Sequence, residues 1–144
     1  MIDELYSREI LKRTTQLMHV GRLDAPDGTA ERTSKLCGSH IVVDVKMDGD
    51  MVSDFAHDVE ACALGQASAA ILSQHVIGAT VAEITTARDA LKAMLKGDEV
   101  VFPDSFADLV ILKSVKDFPA RHTSTQLAFE ATVAAMNEAK IKAA

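Results

Sequence analysis

The sequence predicts an α+β fold: a small antiparallel sheet of about three strands with helices packed on one face. Three observations carry this expectation. Residues 41–47, Ile-Val-Val-Asp-Val-Lys-Met, and residues 51–60, Met-Val-Ser-Asp-Phe-Ala-His-Asp-Val-Glu, are rich in β-branched residues and partly alternating, with Asp48-Gly49-Asp50 between them. Asp-Gly between two such runs is the strongest short-range hairpin signal. From about Ala61 onward the chain turns to small residues and helix formers. The resulting order of helix, strands and then helices segregates the helices from the sheet.

Taken in order, Leu5, Ile10, Leu11 and Leu17 within residues 3–19 fit a short first helix. Residues 20–36 are polar, hold Gly21, Pro26 and Gly28, and read as a loop with a strand near Ala30–Lys35. The hairpin follows. Over residues 51–60, Val52, Asp54, Ala56 and Asp58 fall on one face of a strand, and Met51, Ser53, Phe55, His57 and Val59 on the other. A helix begins near Cys62, with Leu64, Ala67, Ile71 and Leu72 apolar and Gly78 to stop it. Thr80-Val-Ala-Glu83 is a capping box for a helix running to about Leu95, which Gly97 ends. Pro103-Asp104 opens a short helix through Leu112, Phe118-Pro119 forms a turn, and a last helix runs from about Ser124 to Ile141.

The 144 residues suit one domain, 1–144, with no linker or repeat dividing it. Hydrophobic residues at 48% and charged residues at 25% exclude a disordered, collagenous or coiled-coil chain. Aromatic residues are only 4%, so the core is built from Ala, Val, Ile, Leu and Met. The net charge of −6, with no basic run, argues against a nucleic-acid partner. No apolar run approaches the roughly 18 residues of a membrane span. The acidic start, Met1-Ile2-Asp3-Glu4, is unlike a signal peptide, which points to the cytoplasm and to reduced thiols. No dinucleotide, P-loop or nucleophile-elbow pattern occurs.

The hairpin also relates the two cysteines, Cys37 and Cys62. Residue numbers paired across an antiparallel hairpin have a constant sum, here about 99 for a turn centred between Gly49 and Asp50. The numbers 37 and 62 share that sum, so the two thiols emerge at one end of the hairpin, within reach of a shared metal ion or of a disulfide. Cys37 sits in a loop ahead of a strand, and Cys62 at a strand-to-helix junction, where unpaired N–H groups lower a thiol pKa. Buried cysteines serving only as core filler fit the same spacing. Two cysteines are too few for a closed four-cysteine site.

Several features in this order resemble a known family. A Cys37-Gly38 loop precedes a hairpin, and a second cysteine then heads the helix Cys-Ala-Leu-Gly-Gln-Ala-Ser-Ala-Ala. A Phe-Pro-Ala-Arg turn leads into Leu127-Ala128-Phe129-Glu130-Ala131, and Tyr6-Ser7-Arg8-Glu9-Ile10-Leu11 with Gly21-Arg22-Leu23 fits the family's entry helix and loop. The chain resembles the iron–sulfur cluster assembly scaffold family of the IscU/NifU N-terminal type, including its SufU-like branch. This implies the NifU-like fold and a scaffold or carrier rather than an enzyme, with a sulfurtransferase-like role left open. In that family three cysteines and an aspartate converge, accept sulfur from a cysteine desulfurase, and assemble a [2Fe–2S] cluster for cluster-accepting apoproteins. In the SufU-like branch they hold zinc.

The resemblance places Cys37 and Cys62 at the first two cysteines, as metal ligands and sulfur acceptors. Ser39 stands at the family's aspartate and Ser124 at its third cysteine, with Thr123 where a histidine precedes it. The Leu-Pro-Pro-Val-Lys segment of IscU-type members is absent, so the chain reads as a divergent member. His122 and His40 stand near the vacated positions, and imidazole ligates both zinc and iron. A Cys37, Cys62, His122 site is therefore expected, with His40, solvent or a partner residue as fourth ligand. Arg121 serves either a bound anion or persulfide or an ordinary surface ion pair. Two other functions stay open on the same fold: a zinc-containing sulfur-transfer protein, and a degenerate member acting as an interaction module. A homo-oligomer is open as well.

Overall fold

The computed structural model describes residues 7–36 and 38–143. Its element order is helix α1 (Arg8–Arg13), strands β1 (Gly28–Ser34), β2 (Ser39–Asp48) and β3 (Met51–Glu60), helices α2 (Ala63–His75) and α3 (Val81–Leu95), 3-10 segments Asp104–Asp117 and Pro119–Arg121, and helix α4 (His122–Ala143). The sheet is antiparallel in the order β1-β2-β3. Helix α4 lies against β1 and β2, and α2 and α3 pack against α4. This is the α+β arrangement expected from the sequence. Among the described residues, no helix is long and apolar enough to cross a membrane.

The hairpin turn sits at Gly49-Asp50, as its Asp-Gly signal predicts, with Gly49 at φ 61°. The register is not uniform. Asp48 pairs with Met51 and Met47 with Val52, but Lys46 pairs with Asp54, so Ser53 is an extra residue and the sum of paired numbers rises from 99 to 100. This bulge reverses the side-chain parity. Val52 is thereby buried together with Phe55 and His57, opposite Ile41, Val43 and Val45 of β2, rather than sharing the face of Asp54. On the other face Asp44 is buried by the loop before β1. Arg22 donates to it from Nε at 2.6 Å, Thr29 Oγ1 at 2.6 Å and the Leu23 N–H at 3.0 Å.

The helices end where local chemistry ends them. Helix α1 is shorter than expected. Ser7 caps its start, and beyond Arg13 the Thr14 and Thr15 hydroxyls bond back to the Leu11 and Lys12 carbonyls. The part of the expected helix before Ser7, including Leu5, lies outside the described residues. The Thr80–Glu83 capping box is present at α3. The segment after Pro103 is 3-10 rather than α and runs on to Asp117. Its buried residues Phe106, Leu109, Leu112 and Val115 recur every third position, the period of a three-residue turn.

Helix α4 is buried nearly all round, at Leu127, Phe129, Ala131, Val133, Ala135 and Met136 among others. Small residues let it run between the sheet and the other helices. At Gly28 a Cβ atom would stand 2.0 Å from the Ala135 carbonyl oxygen, so the sheet approaches the helix backbone only because β1 begins with glycine.

Candidate functional site

Three elements begin or end at the edge of the sheet far from the hairpin turn. Strand β2 starts at Ser39, β3 ends at Glu60 opposite His40, and Cys62 caps α2 in an extended conformation (φ −65°, ψ 170°). The first turn of α4 brings Ser124 to the same place. Ser124 Oγ lies 3.2 Å from Cys62 Sγ and 3.0 Å from Ser39 Oγ. Both serines are fully buried, whereas Cys62 is half-buried. Ser39 and Ser124 are 85 residues apart in the chain, and their contact ties β2 to α4 beside the thiol.

The surroundings favour a thiolate at Cys62. Burial pushes the thiol up. The Ser124 hydroxyl, the backbone N–H groups of Gly65 and Leu64 in the first turn of α2, and the Arg121 guanidinium outweigh it and hold the thiol below its ordinary value. No backbone N–H meets full capping geometry on the sulfur. The helix start therefore acts on Sγ through its field, and Ser124 supplies the direct hydrogen bond.

The other expected ligands bond to groups other than the thiol or fall outside the description. Cys37 falls outside the described residues, and so does its expected approach to Cys62. His40 Nε2 is 2.8 Å from Glu31 Oε2 across β1 and β2. The His122 ring turns back to the preceding 3-10 segment, with Nε2 donating toward the carbonyls of Val115 (2.9 Å) and Lys116 (3.1 Å). The structure thus brings together Ser39, Cys62 and Ser124. Among the described residues, no three His, Cys, Asp or Glu side chains gather so as to hold a metal ion. A neutral hydroxyl is a weak ligand for zinc beside a thiolate. One thiol and two hydroxyls bonded to each other do not fit a closed zinc site by themselves.

Sequence reasoning marked Ser39 and Ser124 as replaced ligands, not as partners of each other and of Cys62. Gly65, in the first turn of α2, has no packing role that the sequence alone reveals. The available signal was a glycine in the first turn of a helix otherwise made of good helix formers, where glycine is unfavourable without a packing reason.

A sheet edge where a cysteine heads a helix of small residues, with a final helix laid across the sheet, defines a class of protein. Residues 5–125 match the family model described as the NifU-like N terminal domain, and the chain belongs to that family. Its curated relatives include the zinc-dependent sulfurtransferase SufU of Bacillus subtilis, 26% identical over 130 residues, which span 90% of this chain and 88% of that one. The iron–sulfur cluster assembly scaffold protein IscU of Streptococcus pyogenes serotype M1 is also 26% identical over 130 residues, covering 90% of this chain and 81% of that protein. Among solved structures, a nitrogen-fixing NifU-like protein (N-terminal) from Brucella abortus superposes with a TM-score of 0.94 at 42% identity, over 98% of each chain. The family and fold expected from the sequence are the ones found.

Proposed function

We propose that this chain is a scaffold or carrier for iron–sulfur cluster assembly, and that Cys62 is its described sulfur-accepting thiol. The observation that carries the reading is the placement of Cys62 Sγ at the head of α2. There it is half-buried, bonded to Ser124 and held below the ordinary thiol pKa. Relatives bearing the scaffold name support it. Cys37, two residues before Ser39 in the sequence, is the second thiol of the site. Iron and sulfide are cargo, and the protein's task is to hold and release them. His122 or His40 serves as a further ligand only by leaving its present hydrogen bonds. Arg121 lends positive charge beside the sulfur. The partners are a cysteine desulfurase as sulfur donor and cluster-accepting apoproteins, in the cytoplasm.

The sulfur step balances without an added oxidant. The Cys62 thiolate attacks the terminal sulfur of a donor persulfide. The donor's S–S bond breaks as a new one forms at Cys62, and the donor leaves as a thiolate. The low thiol pKa and the sulfurtransferase name of one relative favour a second reading, a sulfur-transfer protein that hands the sulfur on without building a cluster.

Anaerobic reconstitution with iron, cysteine and a cysteine desulfurase separates the two. A scaffold shows cluster charge-transfer absorption, lost in C62S and in C37S. Persulfide on Cys62 without iron uptake supports the sulfur-transfer reading. Colourless protein carrying neither iron nor persulfide overturns both.

A further inference from the structure

We propose that Gly65 is a positioning residue for Cys62: its missing side chain sets the approach of α4 to α2 that places Ser124 Oγ between the Cys62 sulfur and the Ser39 hydroxyl. The inference rests on the reading of Cys62 as the reacting thiol. A Cβ atom at position 65 would stand 3.1 Å from Ser124 Oγ, 3.2 Å from the Ser124 carbonyl oxygen and 2.8 Å from Ala61 Cβ. The first two contacts are on Ser124, whose hydroxyl lies at hydrogen-bond distance from the Cys62 sulfur.

Alanine is the better residue in a helix, and Gly65 sits inside α2 rather than at its end. Its φ is not in the left-handed region, unlike Gly38, Gly49, Gly78 and Gly97, where a Cβ would meet nothing within 4 Å. Space rather than backbone conformation therefore demands glycine at position 65.

The space matters because Ser124 has one proton to give. It donates to a thiolate at Cys62 and accepts from Ser39, so a single hydroxyl orders two neighbours. Ser39 opens β2 at the last pair of its ladder with β1, Cys62 caps α2 and Ser124 lies in the first turn of α4, so no single element fixes their separation. A side chain at position 65 pushes Ser124 away from α2 and lengthens both of its hydrogen bonds. Gly65 touches neither the sulfur donor nor the cargo in this scheme; its N–H, which itself favours the thiolate, is kept in G65A, so the added side chain acts on the sulfur through Ser124.

The test is a cycle of G65A, S124A and the double variant, reading the rate at which iodoacetamide alkylates Cys62, followed by peptide mass spectrometry at neutral pH. Loss of one hydrogen bond to the sulfur slows alkylation by roughly threefold. G65A and S124A are each expected to slow it by that factor, and the double variant to be no slower than S124A alone. A helix destabilised without regard to Ser124 gives multiplying effects instead, and that outcome overturns the proposal, as does wild-type alkylation in G65A. The compensated variant A61G/G65A removes the 2.8 Å contact with Ala61 and leaves only the crowding of Ser124. It should be as slow as G65A, and a return to the wild-type rate also counts against the proposal. Alkylation needs no iron, sulfide or desulfurase, so failure of the scaffold reading leaves this result intact.

Discussion

The Oγ of Ser124 lies 3.2 Å from the Sγ of Cys62, at the meeting of the first turns of α4 and α2. Together with the 3.0 Å contact to Ser39, this makes the site a chain of two buried hydroxyls ending on a thiol. Where the resemblance implies a thiolate at 124 and a carboxylate at 39, this protein has neutral groups that bond to each other.

Cys62 should therefore alkylate with a pH midpoint below that of an ordinary thiol, because the Ser124 hydroxyl, the start of α2 and Arg121 together outweigh burial. S124A removes the hydroxyl and leaves the burial, so its midpoint moves upward. Rates of iodoacetamide modification at Cys62 across about pH 6–10 measure both. An unchanged midpoint in S124A would show that the hydroxyl does not stabilise the thiolate.

His57 predicts a loss of stability on mild acidification. Its ring is buried, Nε2 donates to the Met18 carbonyl at 2.8 Å, and Nδ1 has no partner among the described residues. Burial lowers its pKa, as does the neighbouring His19, against the Met18 carbonyl and Asp58, which raise it. Below the ordinary value of about 6.5 the unfolded chain binds a proton that the fold refuses. Stability is thus full above that pH and falls as the pH drops toward the lower folded value. H57Q keeps a donor for Met18 without a titrating ring. Thermal unfolding between about pH 5 and 7 should show a shallower slope for it than for the wild type.

Asp44 anchors the loop before β1. Burial pushes its carboxyl up, but the bonds from Arg22, Thr29 and the Leu23 N–H prevail and hold it below the usual carboxylate range. The stability it contributes is present above the unfolded carboxylate value of about 4 and is lost as the pH falls through the lower folded value. D44A leaves these donors without their acceptor and should cost about 2 kcal/mol, since Arg22 is half exposed and recovers water. Urea denaturation at neutral pH reads the cost, and D44A should also flatten the acid limb below about pH 4.

Gly28 should tolerate no side chain. With a Cβ 2.0 Å from the Ala135 carbonyl oxygen and 2.8 Å from the Ala139 nitrogen, both backbone atoms, β1 and α4 must separate. G28A is expected to destabilise the protein by about 3 kcal/mol, at the upper end of overpacking costs, as read by chemical denaturation. Wild-type stability in G28A would mean that α4 rides further from the sheet than described.

Much of the fold is legible in the chain because its signals are local. Asp48-Gly49-Asp50 fixes the turn, Thr80 and Glu83, three residues apart, cap α3, and β-branched runs mark β2 and β3. The three-residue spacing of Phe106, Leu109, Leu112 and Val115 was also present, although a helix start after Pro103 suggested a shorter α-helix. The bulge at Ser53 was not legible. An inserted residue leaves no mark in an alternating pattern until the partner strand is known, and it turned Val52 to the face of Phe55.

The site divides in the same way. Strand pairing and helix capping depend on near neighbours in the chain, so the place of Cys62, heading a helix at the open end of the hairpin, is readable from residue order. The bond between Ser39 and Ser124 beside that thiol, the turn of His122 to Val115 and the room that Gly65 leaves for Ser124 emerge when the elements pack together. Those contacts depend on how closely α4 approaches α2 and β2 across the core. That distance is set by the summed packing of residues far apart in sequence, with a missing Cβ at Gly28 and Gly65 deciding it at two points.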